Sequence, residues 1–246
     1  MRDSINIYIR LVIKVFLIAS FIFICSNSFA QDPVKNMPTY DRKPWHPGFT
    51  LGFNTSDFVI NFTQGFSKSD SLNQITSTSG TGLDLGIVTN FRLGEHFDLR
   101  FVPALAFAGR TVYFTFVHDN NPNITYVLSK TVESTYADLP IDLKFKSVRI
   151  NNYRLYVLGG WKNSIDFLSQ ANAILKPNEA QIKLTKFDFG YEIGVGVDFY
   201  LEFFKFSFEL KAYHGINDLV VKDNSPYSRY ISGLFTKMFY FGFNFE

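Results

Sequence analysis

The last twelve residues of the chain change character at every step. Phe235, Lys237, Phe239, Phe241, Phe243 and Phe245 fall on one parity, and Thr236, Met238, Tyr240, Gly242, Asn244 and Glu246 on the other. An extended strand sends odd and even positions to opposite faces, so this run must separate two unlike environments. One of them accepts an almost unbroken row of phenylalanine. Composition sharpens the constraint: the 246 residues include 29 Phe and 13 Tyr, yet the mean hydropathy is close to zero. A soluble domain this aromatic would show long apolar runs for its core, whereas here polar residues separate the aromatics.

The same period recurs upstream. Phe204, Phe206, Phe208 and Leu210 alternate with Lys205, Ser207, Glu209 and Lys211, and Phe189 to Val197 alternate with Asp188, Glu192, Asp198 and intervening glycines. Further strands are expected over about 49–56, 82–92, 97–113, 135–146 and 153–161, eight in all. Connections after the second, fourth and sixth are short (93–96, 147–152 and 200–203), and the others are long and polar. Short turns on one side and long loops on the other are what outer-membrane barrels show, with the short turns in the periplasm. The expected fold is all-β: a transmembrane antiparallel up-and-down β-barrel of about eight strands, OmpA/OmpX-like, with the Phe rows toward lipid. A lipocalin-like soluble barrel would turn these rows inward, where four Phe from one strand overfill a small lumen.

Residues 1–30 read as a cleaved signal peptide: Arg2 and Arg10, an apolar stretch from Leu11 to Cys25, then Ser28-Phe29-Ala30. A lipoprotein site at Cys25 is disfavoured by the bulky Ile24, and a retained anchor by Lys14. Residues 31–47, with Pro33, Pro38, Pro44 and Pro47, are expected to form an extended periplasmic tail, and 48–246 the barrel. After Ala30 no apolar window is long enough for a membrane helix, so only a closed barrel can cross a bilayer. Both termini are then periplasmic. The C-terminal aromatics resemble the strand by which the barrel assembly machinery recognises its clients, with Glu246 as an odd last residue.

With the Phe rows outward, the expected lumen holds the acids Asp84, Asp98, Asp138, Asp142, Asp188, Glu192, Asp198 and Glu209. Its bases are Arg92, Arg100, Arg110, Lys144, Lys146, Arg154, Lys205 and Lys211. These balance, which favours a packed network of mutual pairs over an open pore. The wall of the last strand, Phe239, Phe241, Phe243 and Phe245, meets outer-membrane lipids. The formal net charge of +2 gives no reason to expect nucleic acid.

Candidate chemistry is sparse. His118 precedes Asp119, and His214 stands near Asp218, as base and orienting acid would, but such pairs in polar loops are common solvated surface. His46 and His96 lie on the opposite side from them. Neither a metal site nor a cofactor is expected, nor catalysis. Asn123-Ile124-Thr125 matches a glycosylation sequon by chance. Trp45, Trp161, Tyr153, Tyr156, Tyr200 and Tyr240 are candidates for interfacial belts. Ala171, Ala173, Ile174 and Leu175, in the expected loop 162–184, suggest a contact surface or a packed lid.

Two stretches resemble the PorT (SprT) family of the Bacteroidetes. They are Val132-Glu-Ser-Thr-Tyr-Ala-Asp-Leu-Pro-Ile-Asp-Leu-Lys-Phe-Lys-Ser-Val-Arg-Ile-Asn-Asn-Tyr-Arg-Leu-Tyr-Val-Leu-Gly-Gly160 and the opening strand Gly48 to Phe58. Within the first, Leu139-Pro140-Ile141 is common among barrels of that phylum, and Lys-Ser-x-Arg-x-Asn-Asn, Lys146 to Asn152, is the more particular part. The resemblance implies an accessory component of the type IX secretion system. That system exports proteins with C-terminal sorting domains and, in gliding species, delivers motility adhesins. Other secretion-system proteins would be its partners, and no catalytic residues are carried over. The alternative is a stand-alone small barrel, either a solute channel or a surface-binding protein.

Overall fold

The computed structural model describes residues 35–63, 72–118, 121–169, 183–222 and 228–246, without the side chains of 118 and 121–124. The expected leader, the first residues of the tail, Asp119 and the run 171–175 lie outside the described residues, as do the side chains of His118 and Asn123. The strands are β1 (Trp45–Phe62), β2 (Leu72–Arg92), β3 (Phe97–Phe101), β4 (Ala104–His118), β5 (Asn121–Lys146), β6 (Tyr153–Asp166), β7 (Phe187–Tyr200), β8 (Lys205–Gly215) and β9 (Ile231–Phe245). All pair antiparallel, and β1 pairs with β9 from Phe49↔Phe245 to Phe62↔Ile231, so the sheet closes on itself. No backbone edge is then left facing lipid.

The ring has eight staves although nine segments are distinguished. Both β3 and β4 lie between β2 and β5, and the register passes through their junction unchanged, from Thr89↔Phe101 to Gly86↔Ala104 and from Phe101↔Ile141 to Ala104↔Asp138. Pro103 makes the break because it has no N–H to give. Its carbonyl still accepts from the Ile87 N–H at 2.9 Å, which keeps the stave in place.

Burial is inverted relative to a soluble protein. Phe53 is 56 % and Ile193 60 % exposed, while Arg100 is 1 % and Lys144 0 % exposed. The outer wall is laid in rows by register: Phe49, Phe245, Phe206, Phe199 and Tyr153, then Leu51, Phe243, Phe208, Val197 and Leu155, then Phe53, Phe241, Leu210, Val195 and Val157. Neighbouring rings stack or meet edge-on, as do Phe49 with Phe245 at 4.8 Å and Phe208 with Phe241 at 4.7 Å. Of the proposed belt residues, Trp45, Trp161 and Tyr153 face outward. Tyr156 and Tyr200 are buried, and Tyr240, with its hydroxyl on Thr50, also points inward, because their parity is the lumen's.

Away from the termini the strands outrun the expected limits. The long loop expected after the third stave is a hairpin: β4 and β5 stay paired up to His118↔Asn121. Here the apolar parity switches. Below the switch Leu105 and Phe107 face out; above it Val112, Phe114 and Phe116 face in. With water outside instead of hydrocarbon, burial inside becomes the favourable place for apolar side chains. They join Phe58 and Leu234 in an apolar core completed by Leu184, Leu219 and Val220 from the segments after β6 and β8. Those segments cross the mouth, tied by the Leu184↔Val220 bridge and by Leu219 N–H to Leu234 O at 2.9 Å. The interior is therefore not a polar network throughout: its far end is an apolar core.

At the terminal end the described part of the expected tail, residues 35–47, is not extended throughout. A short 3-10 turn, Tyr40–Arg42, lies against the mouth, with Tyr40 buried, and β1 begins at Trp45, before the boundary expected at Gly48.

If the Phe rows meet hydrocarbon, Phe53→Arg should weaken folding into lipid vesicles by about 2–4 kcal/mol, the range for arginine near a bilayer midplane. Denaturant titration in vesicles checks this; an unchanged midpoint would mean that this wall does not face lipid.

Candidate functional site

Three layers fill the barrel, and the middle one contains most of the charge expected there. Lys144 Nζ donates to both carboxylate oxygens of Asp198 at 2.9 Å, Lys211 reaches Glu192 at 2.8 Å, and Lys146 reaches Asp98 at 2.5 Å. Arg100 bonds Glu209, which also accepts from the Tyr156 hydroxyl at 2.7 Å. Facing residues leave room for this: the Tyr240 ring lies where a Cβ on Gly52 or Gly242 would collide with it. Its hydroxyl meets Thr50 Oγ1 at 2.7 Å.

Several assignments change. Arg92, at the end of β2, turns to the Gly94 carbonyl at 3.0 Å and belongs to a turn of the mouth rather than to the network. Lys162, expected in a loop, lies on β6 and pairs with Asp138 at 2.9 Å. Glu246 is no anomaly, since its even parity sends it inward, where it pairs with Lys205 at 2.9 Å. The expected one-to-one pairing does not hold. Among the described residues Asp84, Asp142 and Asp188 form no ion pair. Asp84 instead accepts from Asn54 Nδ2 at 2.7 Å. Arg110 likewise pairs with no carboxylate. It lies over the rings of Phe58 at 4.4 Å and Tyr136 at 5.3 Å and hydrogen-bonds Thr236 at 3.3 Å, where the polar layer meets the apolar one.

Of the histidine pairs only His214 with Asp218 lies among the described residues, and there the two side chains are engaged separately. Asp218 Oδ1 accepts the backbone N–H groups of Val220 and Leu234 at 3.1 and 3.0 Å, stapling the far cap, while His214 stands on the outer wall against Tyr191. His46 Nε2 lies 2.9 Å from the Tyr40 carbonyl, and His96 Nδ1 3.0 Å from the Lys146 carbonyl.

The terminal mouth is a contact site that the sequence analysis did not foresee. Tyr40 stacks on His46 at 4.3 Å and meets Tyr200 edge-on at 6.0 Å. Asp41 pairs with Arg154 at 3.2 Å and accepts from the Tyr200 hydroxyl at 2.8 Å. The turn after β5 supplies the clamp. Arg149 covers the Tyr200 ring at 3.7 Å and bonds the Asn36 carbonyl, and Asn152 Oδ1 accepts the Asn36 N–H at 2.9 Å. Asn151 takes a positive φ of 51°, which asparagine tolerates, to turn the chain here. Burial raises the Tyr40 phenol above its ordinary range and keeps it a neutral donor toward Glu246. Burial also opposes ionisation of Glu246, but Lys205, with Lys144 and Arg100, outweighs it and holds the carboxyl below its usual range.

Breaking one buried pair leaves an uncompensated charge, so Lys144→Met should destabilise the barrel by about 3–5 kcal/mol, and adding Asp198→Leu should restore most of the loss. Tryptophan fluorescence during urea unfolding in vesicles reads both; a double variant as weak as the single one would contradict the pairing. Because the Glu246 carboxyl is depressed in the folded barrel, its stabilisation is complete above the ordinary carboxylate range and is lost as pH falls through the depressed value. Unfolding midpoints at about pH 7 and about pH 3 should differ less for Glu246→Gln than for the parent chain. Equal pH dependence would show that the mouth pair contributes nothing.

Three solved structures cover 80–82 % of the chain. The outer membrane protein OprG of Pseudomonas aeruginosa is 14 % identical, with a TM-score of 0.43 and 94 % of its own chain covered. Ail of Yersinia pestis is 11 % identical, with a TM-score of 0.37 and 99 % covered. Neisserial surface protein A is 9 % identical, with a TM-score of 0.36 and 95 % covered. No curated protein matches the chain. A family model, "outer membrane protein beta-barrel domain", matches residues 29–221. The chain belongs to this family of outer-membrane β-barrel proteins.

Proposed function

We propose that the barrel is a non-enzymatic accessory component of the type IX secretion system that works by contact and not as a conduit. The observation that carries this is the resemblance over Val132 to Gly160. Its most particular part, Lys146 to Asn152, coincides with the turn whose Arg149 and Asn152 hold the N-terminal segment. In this reading both termini and the short turns face the periplasm, where the clamped mouth presents a rigid surface to other secretion-system proteins. Outer-membrane lipids surround the wall, and the barrel assembly machinery engages β9 during biogenesis. A channel role is disfavoured by the filling of the lumen by the Tyr40 segment, the ion pairs and the apolar cap in series.

Deleting the gene should trap proteins with C-terminal sorting domains in the periplasm, read by immunoblotting of cell fractions. Normal secretion in the deletion strain would refute the assignment. The purified barrel in planar bilayers should show no large, stable conductance; long-lived open channels would favour a stand-alone solute channel instead.

A further inference from the structure

One side chain on the outer wall is left unexplained by the fold. The row above Phe239 reads Trp161, Tyr191, His214, Lys237 and Asp57 around the ring. Lys237 is exposed. It lies over the Phe239 ring at 5.3 Å, and among the described residues it has no ion pair. Asp57, its cross-strand neighbour, is occupied by Ser77 Oγ at 2.5 Å and by the Phe58 N–H at 2.8 Å. On the other side His214 stands next to Lys237, its ring 5.7 Å from that of Tyr191. A lysine on the rim of an apolar wall reaches the headgroup region, where an anionic group attracts it.

The wall directly below this pair is recessed. The next row contains Thr55, Phe239, Ala212 and Ile193, and its small members, Thr55 and Ala212, leave an apolar groove of about 920 Å³ with Phe53, Leu210 and Phe241 on its sides. The groove begins within one strand pair of Lys237 and runs into the lipid-facing band.

We propose that this face binds a phospholipid of net negative charge: its phosphate meets Lys237 and His214, and one acyl chain lies over Thr55 and Ala212. Charge complementarity selects the occupant, because a zwitterionic headgroup already has its own cation beside the phosphate and gains less from Lys237, and a soluble anion would leave the groove unfilled. This assignment is independent of the secretion role.

The test is retention of lipid after extraction. The full-length barrel is reconstituted into vesicles of phosphatidylcholine and phosphatidylglycerol and released into the gas phase for native mass spectrometry. The parent chain should retain phosphatidylglycerol in preference to phosphatidylcholine. Lys237→Gln should reduce that preference by about fivefold, the worth of one cation at an anionic surface, and His214→Gln should reduce it further. Ala212→Phe, which fills the groove without changing charge, should reduce retention of both lipids, whereas Lys186→Gln, an exposed cation outside the groove, should change neither. Circular dichroism confirms that each variant is folded. Equal retention of the two lipids by the parent chain, or an unchanged preference in Lys237→Gln, would overturn the proposal.

Discussion

Everything in this molecule follows from the pairing of β1 with β9. A sheet in hydrocarbon cannot leave N–H and C=O groups unmet along an edge, and the ladder from Phe49↔Phe245 to Phe62↔Ile231 removes the edge. Closure also divides the side chains into two populations that cannot exchange. A register slip of one residue would put Lys144 and Glu209 into lipid and Phe243 into the lumen, so alternation and ring closure enforce each other.

Within the ring, burial of charge is tolerated because partners are built in at short range. Lys144 with Asp198 and Lys162 with Asp138 are charge-assisted hydrogen bonds at 2.9 Å between almost fully buried side chains. Such pairs do little for net stability compared with apolar replacements, but they fix which strand faces which. Their loss on one side only is what the structure cannot absorb. The apolar cap and the Tyr40 segment close the two ends by different means, one by burial of Phe114 and Leu234, the other by stacking and by the Arg149 clamp.

The wall, the staves and most of the inward charges were legible because period-two alternation is a local signal. Lys162 is hidden because Lys162, Asn163 and Ser164 are polar on both faces of β6, and Arg92 is ambiguous because parity alone does not say where a strand ends. The switch at Arg110 was present in the sequence as a change of apolar parity, from Leu105 and Phe107 to Val112, Phe114 and Phe116. It reads as a loop only if lipid is assumed to surround the whole strand. The terminal mouth was not legible. A run with Pro33, Pro38, Pro44 and Pro47 suggests an extended tail, and the contacts that fold it, such as Asn36 with Asn152 and Tyr40 with Tyr200, join residues more than a hundred positions apart. For a similar reason the nearness of His214 and Asp218 in sequence does not say that Asp218 is used by backbone N–H groups.

The Tyr40 segment has a consequence for the order of folding. Its partners Asn152, Arg154, Tyr200 and Glu246 come from the second half of the chain and from the seam where β9 meets β1. The docking surface is therefore complete only once the last stave has joined the first and brought Glu246 to Tyr40, so the N-terminal residues gain their full set of partners only with ring closure.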